Sequence, residues 1–500
     1  MQNSTLLAGI DLGSNSFRLE IGRFEHGQIN RIEYIKETVR QGNGLDEDRN
    51  LTPQAMQRGW DCLGRFAERL SGFKKTQVRA VATQTLREAR NREAFLSTAQ
   101  KVFGFPIEVI SGREEARLIY LGVAHLLPHS SDNRLVIDIG GRSTELIIGK
   151  DLDARVLESY RVGSVAWSMR FFPEGEYSAQ AFKTAEVAAQ AILDEALTSY
   201  PRHAWDVAYG SSGTVGAVAD ILGVAGWPTT LINRDSLNWL KRCLIRAQSI
   251  DKVRLEGLKE DRKAVLAGGI SVLSAVFDLL EIDELHVAQG ALRHGVLYDM
   301  LDRAVYATDV RTTTVSRLSK TSGLDADQAD RVNKVSQYLL NMVIDDSKSG
   351  DVNKLKQKLE WAAKLHEVGT IISHSDYHKH GAYILDNTDA PGFAAPELHR
   401  LSLLVLGHRG KLRKLEVDFN NVGFIKQLLA LRLAVILCHA KRDPEYKSLK
   451  LDLVSEQSRS FKLTLTKDWA EKYPQSSHLL KEEINAWQKT TWSFDLNWVD

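Results

Sequence analysis

The chain has 500 residues, about three times the length of a usual domain, so two to four domains are expected. It is 43% hydrophobic and 26% charged, with 35 Gly and only 10 Pro, which excludes collagen-like, mucin-like and disordered classes. Lys+Arg 65 against Asp+Glu 64 leaves +1, so whole-chain charge selects no partner and gives no footing for nucleic acid.

Read in chain order, the first feature is an internal repeat. Ile10-Asp11-Leu12-Gly13-Ser14-Asn15-Ser16 and the six residues after it line up with the stretch that opens Ile137-Asp138-Ile139-Gly140-Gly141-Arg142-Ser143. The offset is 127 residues, and seven of thirteen positions are identical. Each copy reads as an apolar strand ending in Asp, a small-residue turn and a second strand. Small turn residues leave backbone N–H groups open to an oxyanion, and the neighbouring Asp suits a hydrated Mg²⁺. An ordinary structural hairpin would have the same local pattern, but two matched turns suggest a cleft.

Between the copies, residues 52–70 carry helical spacing with Pro53 at the start, and residues 78–82 form a short buried strand. A helix over 91–102, a strand at 107–110 and a helix over 113–121 follow. After the second copy come a helix over 179–200, a strand at 207–209 and Gly210-Ser211-Ser212-Gly213-Thr214, a small-residue turn placed as an anion site at a helix start. Two α/β lobes around a cleft are expected.

From about residue 303 helical periodicity dominates to about 439, and eight of the fourteen histidines lie from residue 304 onward. Residues 401–450 hold ten Lys/Arg against four Asp/Glu, a net +6 that the whole-chain total conceals. Residues 461–465 alternate, and Trp469, Trp487, Trp492 and Trp498 follow, as in a small α+β unit. Three widely separated cysteines without a CxxC pair fit a reducing compartment, and the first residues lack the charge-then-apolar pattern of a secretory leader. The apolar run 428–440 is cut by Arg432 and is too short to span a bilayer. A cytoplasmic protein without a membrane span is expected.

Six ordered motifs together resemble the exopolyphosphatase/guanosine pentaphosphate phosphohydrolase family. They are the first turn, Ala82-Thr83-Gln84-Thr85-Leu86-Arg87, Ile110-Ser111-Gly112-Arg113-Glu114-Glu115, the second turn, Gly210–Thr214 and Gly290-Ala291-Leu292-Arg293. The resemblance extends through Leu365-His366-Glu367-Val368-Gly369, so it covers essentially the whole chain. It implies an actin-like (ribonuclease H-like) two-lobed ATPase fold, then an all-α HD-like domain and a small α+β C-terminal domain. The corresponding divisions are residues 1–122, 123–302, 303–445 and 446–500. It also implies Mg²⁺-dependent hydrolysis of a terminal phosphoanhydride, and a homodimer.

Residue by residue, the resemblance makes Glu115 the base or positioner of the attacking water and Arg87 the phosphate-binding arginine. Asp138, Glu145 and, more weakly, Asp11 become holders of Mg²⁺. Gly13, Ser14, Asn15, Ser16, Gly140, Gly141, Arg142, Ser143, Ser211, Ser212, Gly213 and Thr214 become the phosphate-binding loops. Each has a plainer reading: Glu114-Glu115 as a solvated helix face, Arg87 as surface, whereas Asp138 ends a buried strand and needs a partner.

Two departures stand out. Arg142 occupies a position where the family carries Gly or Ala, so it is either strained or an added cation beside the phosphates. His294 replaces an acidic residue. In the helical domain His366-Glu367, His374, His378 and His380 do not form a metal-ligand pattern.

Inorganic polyphosphate and guanosine pentaphosphate compete as substrate. A long polyanion needs a track of cations, for which His378, Lys379, His408, Arg409, Lys411 and Lys414 are candidates, and this favours an exopolyphosphatase. The alternatives are a pentaphosphate phosphohydrolase and a non-catalytic polyphosphate- or alarmone-binding protein.

Overall fold

The computed structural model describes residues 4–25, 28–128, 130–303, 309–344, 349–388, 390–456 and 459–499. The chain divides into two compact units, Met1–Asp309 and Val310–Asp500.

In the first unit β1 (Thr5–Leu12), β2 (Ser16–Glu25), β3 (Gln28–Thr38), β4 (Val78–Ala82) and β5 (Ile107–Val109) make one sheet, in the order β3-β2-β1-β4-β5. A second sheet holds β6 (Arg134–Ile139), β7 (Thr144–Lys150), β8 (Asp153–Tyr160), β9 (Val207–Ser211), β10 (Leu231–Asn233) and β11 (Glu284–Val287), in the order β10-β11-β9-β6-β7-β8. The repeat is thus one topology used twice: an antiparallel β1–β2–β3 or β6–β7–β8 meander, with β4 or β9 parallel to its first strand. Register is preserved too. Asp11 stands opposite Arg18, and Asp138 opposite Glu145.

The third strands β3 and β8 escape a periodicity reading. Both lie at sheet edges, and almost none of their residues is buried, so no apolar alternation marks them. The helix Pro53–Arg69 starts as its sequence dictates, with Pro53 at the first position and the Thr52 hydroxyl accepting from Ala55 N at 3.4 Å. The expected helix over 179–200 is divided into Ala179–Leu193 and Ala196–Ser199.

Two helices weld the lobes. Gly112–Ala124 follows β5 but packs against β7 and β8, while Leu292–Asp302 follows β11 and packs against β1 and β2. They meet through glycines: a Cβ on Gly295 would sit 1.7 Å from the Leu118 carbonyl oxygen, and one on Gly122 2.3 Å from that of Ala291. Val81, Ile110, Leu118, Val136, Ile147 and Val296 form a shared core beneath this crossing. This is the two-lobed actin-like plan.

The second unit is helical through Val422–Leu437. It ends in a three-stranded sheet of β12 (Lys450–Ser455), β13 (Ser460–Thr466) and β14 (Ser493–Val499), with the helix Pro474–Trp487 before the last strand. One core runs from Val315 to Phe494, so the α+β tail shares the helices' interior. Arg432 and Glu483, both buried, pair across it. Among the described residues no helix is long and apolar enough to cross a membrane.

Candidate active site between the two lobes

The two hairpin turns abut: a Cβ on Gly141 would lie 3.0 Å from the Ser14 Cβ. They border a cleft of about 380 Å³. In the first turn the carbonyls of Asn15 and Ser14 accept from Arg40 N at 2.9 Å and Gly42 N at 2.7 Å. A trans peptide places each C=O and the following N–H on opposite sides. The N–H groups of Asn15 and Ser16 therefore face the other way, toward the cleft that these residues line. The second turn is held alike. The Gly140 carbonyl accepts from Ser164 N at 2.9 Å and the Gly141 carbonyl from Val165 N at 2.8 Å, at the start of the helix Ser164–Phe171. That geometry turns the Gly141 N–H the opposite way.

The third loop is more self-contained. The Ser211 hydroxyl donates to the Gly290 carbonyl at 2.9 Å and Thr214 Oγ1 to that of Ile139 at 2.9 Å. Ser212 Oγ accepts from Thr214 N at 3.1 Å and Val215 N at 3.3 Å, so the hydroxyl caps the helix Ser212–Val224 itself. Ser211 does not line the cleft, whereas Ser212, Gly213 and Thr214 do. Backbone strain also lies here: Ser212 has φ 91°. The strain expected at Arg142 is absent, because its φ is not positive.

Four carboxylates approach the same end of the cleft. Asp11 pairs with Arg18 at 2.8 Å. Glu115 is buried, and burial raises its pKa to about 7 against the opposing pull of Arg87, which donates from Nη1 to Glu115 Oε2 at 2.8 Å. Burial likewise lifts Asp138 to about 6, with the Ser211 hydroxyl and Arg18 working against it. Glu145 is raised well above its ordinary value by burial, then by the charges of Glu115 and Asp138. Its Oε1 accepts from Ser159 Oγ at 2.7 Å, while Oε2 is buried without a hydrogen-bond partner. Two copies of one hairpin thus differ decisively: Arg18 neutralises the first Asp, and Glu145 adds charge beside the second.

Crowded acids and an orphaned carboxylate oxygen fit a divalent cation. Among the described residues no three His, Cys, Asp or Glu side chains form a ready cage. Such an arrangement suits Mg²⁺, which keeps several waters and takes one or two carboxylates plus substrate oxygens.

Arg87, expected as the phosphate-binding arginine, faces Glu115 in this structure. It is absent from the cleft lining, and each of its nitrogens has a protein partner. Nε and Nη2 donate to Gln84 Oε1 at 3.1 and 2.5 Å, and Nη1 donates to the Ile110 carbonyl at 2.9 Å as well as to Glu115. It holds the glutamate. Arg142 is likewise no cation beside the phosphates. Its guanidinium turns out of the cleft to Glu88 at 3.1 Å and the Gly42 carbonyl at 3.2 Å.

The cations that do line the cleft are Arg18, Lys36, Lys259, Arg262 and Arg293. Lys36 pairs with Asp261 at 2.6 Å, Lys259 with Asp220 at 2.8 Å and Arg293 with Glu20 at 2.5 Å. Arg262, 8% exposed, has no ion-pair partner among the described residues. Its guanidinium lies against Gly213, where a Cβ would fall 2.1 Å from Nη2, at the start of the helix Ser212–Val224. Burial and then the Arg18 charge hold it below its ordinary pKa. A largely buried guanidinium that lines the cleft beside a helix N-terminus and a second arginine suits an anion. Sequence reading missed these residues. Arg18 was visible as the counterpart of Glu145 in the repeat, and Arg293 lay inside a quoted motif. Lys259 and Arg262 reach the cleft only through tertiary folding.

In the second unit, the proposed cation track is interrupted. His408 is buried, with Nδ1 2.5 Å from the Val405 carbonyl oxygen, and its ring packs on His366. His378 is only partly exposed. Lys379 is exposed and pairs with Asp376, and Arg409 lies over the Tyr377 ring. Lys411 and Lys414 are exposed.

Comparison with known proteins gives the family of the chain. The Ppx/GppA phosphatase family pattern covers residues 21–304, and that of Ppx/GppA phosphatase domain III covers residues 310–484. A protein of Pseudoalteromonas translucida named guanosine-5'-triphosphate,3'-diphosphate pyrophosphatase is 38% identical over 499 residues, covering 98% of each chain. One of the same name from Vibrio vulnificus is 39% identical over 501 residues, again with 98% of each covered. The crystal structure of the Aquifex aeolicus member of the Ppx/GppA family superposes with a TM-score of 0.52 at 25% identity, covering 60% of this chain and 99% of that one. The chain belongs to the Ppx/GppA phosphatase family, whose members are hydrolases of phosphoanhydride bonds.

Proposed function

We propose that the chain removes the terminal 5'-phosphate of guanosine 5'-triphosphate 3'-diphosphate by water attack. The single observation that carries this reading is Arg262, buried and unpaired beside Gly213 and Arg18, in the same cleft as the carboxylates of the reacting end. A compact substrate with several phosphate groups can reach Arg262 and the carboxylates within one bounded site. The names of the two relatives agree with it. The exopolyphosphatase expectation rested on a cation track in the second unit, and the buried His408 removes one of its members.

Glu115 accepts the proton of, or orients, the attacking water. Burial raises its pKa to about 7, near the working pH, which suits a general base. Arg87 aims that carboxylate. The N–H groups of Asn15, Ser16 and Gly141 receive phosphoryl oxygens, and Arg18, Arg262 and Arg293 balance their charge. Asp138 and Glu145, with Asp11 behind Arg18, would hold a hydrated Mg²⁺, which when bound supplies charge neutralisation to the phosphoryl oxygens.

The test is phosphate release from the pentaphosphate and from long-chain polyphosphate in parallel, with Arg262→Ala alongside. The pentaphosphate is expected to give the higher kcat/KM, and Arg262→Ala to raise its KM. Preference for polyphosphate, with no effect of Arg262→Ala, returns the reading to an exopolyphosphatase.

A further inference from the structure

Arg142, one of the two departures from the expected family pattern, sits at one end of a continuous hydrogen-bonded chain. Its Nε donates to Glu88 Oε2 at 3.1 Å. Glu88 Oε1 accepts from Gln84 Nε2 at 2.7 Å. Gln84 Oε1 accepts from Arg87 Nε and Nη2, and Arg87 Nη1 donates to Glu115. Gln84 is 5% exposed, and its amide is fixed at both ends. A side chain in the second lobe's phosphate turn is thereby connected, through three intervening groups, to the carboxylate in the first lobe.

The same guanidinium has a second anchor. Nη1 donates to the Gly42 carbonyl at 3.2 Å, and Gly42 N donates to the Ser14 carbonyl at 2.7 Å. Ser14 belongs to the first phosphate turn, and a Cβ on Gly42 would lie 3.1 Å from the Ser14 Cβ and 3.2 Å from the Arg142 Cδ. One arginine thus touches the backing of the first turn while standing in the second.

We propose that Arg142 is a positioning residue that registers both phosphate turns with Glu115, acting through Glu88, Gln84 and Arg87 and through the Gly42 carbonyl. The inference rests on the reading of Glu115 as the group that activates or orients water. Arg142 does not touch substrate: its guanidinium is directed out of the cleft. Its loss lets the second turn and the glutamate drift relative to one another. Misplacement by an ångström costs up to about 10²-fold in rate, and a cut several bonds from the reacting atoms costs less, about five- to tenfold.

The experiment compares Arg142→Ala, Glu88→Ala, the double variant and Arg142→Lys in the full chain with Mg²⁺, measuring kcat, KM and thermal unfolding. Each alanine variant is expected to lower kcat about five- to tenfold with KM within about twofold of the parent. The double variant should fall no further than Arg142→Ala alone, because that change already cuts the chain through Glu88. Arg142→Lys, which retains one of the two anchors, should recover part of kcat. Three results overturn the proposal. Unchanged kcat with only a lower Tm makes Arg142 a structural ion pair. A raised KM at constant kcat makes it a substrate contact. Fully additive losses break the chain of dependence. Glu115→Gln serves as the control on the underlying reading: retained activity in that variant refutes the role of Glu115 whatever Arg142 does.

Discussion

Replacing Arg87 by Ala removes the only positive charge, among the described residues, bonded directly to Glu115, 2.8 Å from its Oε2. Burial already holds that carboxylate at about 7, and Arg87 is the largest influence opposing burial. Loss of a neighbouring opposite charge raises a carboxyl pKa by about 1–3 units. A shift of one unit, to about 8, lowers the ionised fraction at pH 7 from about half to about a tenth; two units lower it to about a hundredth. At pH 7 kcat/KM should therefore fall about 5- to 50-fold, with the acidic limb of its pH profile moved up by one to two units. Part of the loss should return above pH 9. The assay is phosphate release with Mg²⁺ across pH 5–10. A limb that stays at its parent position, with a uniform drop at every pH, would refute the idea that Arg87 sets the charge of the glutamate.

The raised carboxylates make a thermal-shift prediction. Between their ordinary and raised pKa values, Asp138, Glu115 and Glu145 hold more protons folded than unfolded. Their contribution to stability is therefore lost as pH rises from the ordinary carboxylate range through the raised values, about 6 for Asp138 and about 7 for Glu115. Mg²⁺ should accordingly raise Tm more at pH 8 than at pH 6, and an equal rise at both contradicts the placement of the cation among these acids. Ser212→Gly relieves the φ of 91° while losing a cap that glycine replaces at a cost of only a few tenths of a kcal/mol, so Tm should rise by about 1–3 °C. Ser212→Ala keeps the strain and should lower it. In the second unit Arg432→Ala strands the buried Glu483 carboxylate, and chemical denaturation should show a loss of about 3–5 kcal/mol.

How far the sequence disclosed the site follows from the physics of each part. The hairpin turns were legible because Gly and Ser at fixed spacing report backbone conformation directly, and a duplicated register keeps Asp11 and Asp138 in step. Glu115 and Asp138 came from motifs. Their raised pKa values did not, since these depend on burial by the opposite lobe. Arg87 and Arg142 were legible as arginines but not by direction: both have side chains long enough to turn either way, and Gln84, Glu88 and the Gly42 carbonyl decide it. Arg262 stands in a four-residue helical turn, Glu260–Lys263, with no period to mark a face. The edge strands β3 and β8 lack a buried face and so lack a signal.

The most direct test of the account is single-turnover hydrolysis of guanosine pentaphosphate in ¹⁸O-water by the parent and by Glu115→Gln. One ¹⁸O in the released orthophosphate, none in the nucleotide product, and a loss of at least about 10²-fold in the variant with substrate still bound are predicted. Label in the nucleotide, or a variant within a few-fold of the parent, would contradict water attack on the terminal phosphate assisted by Glu115.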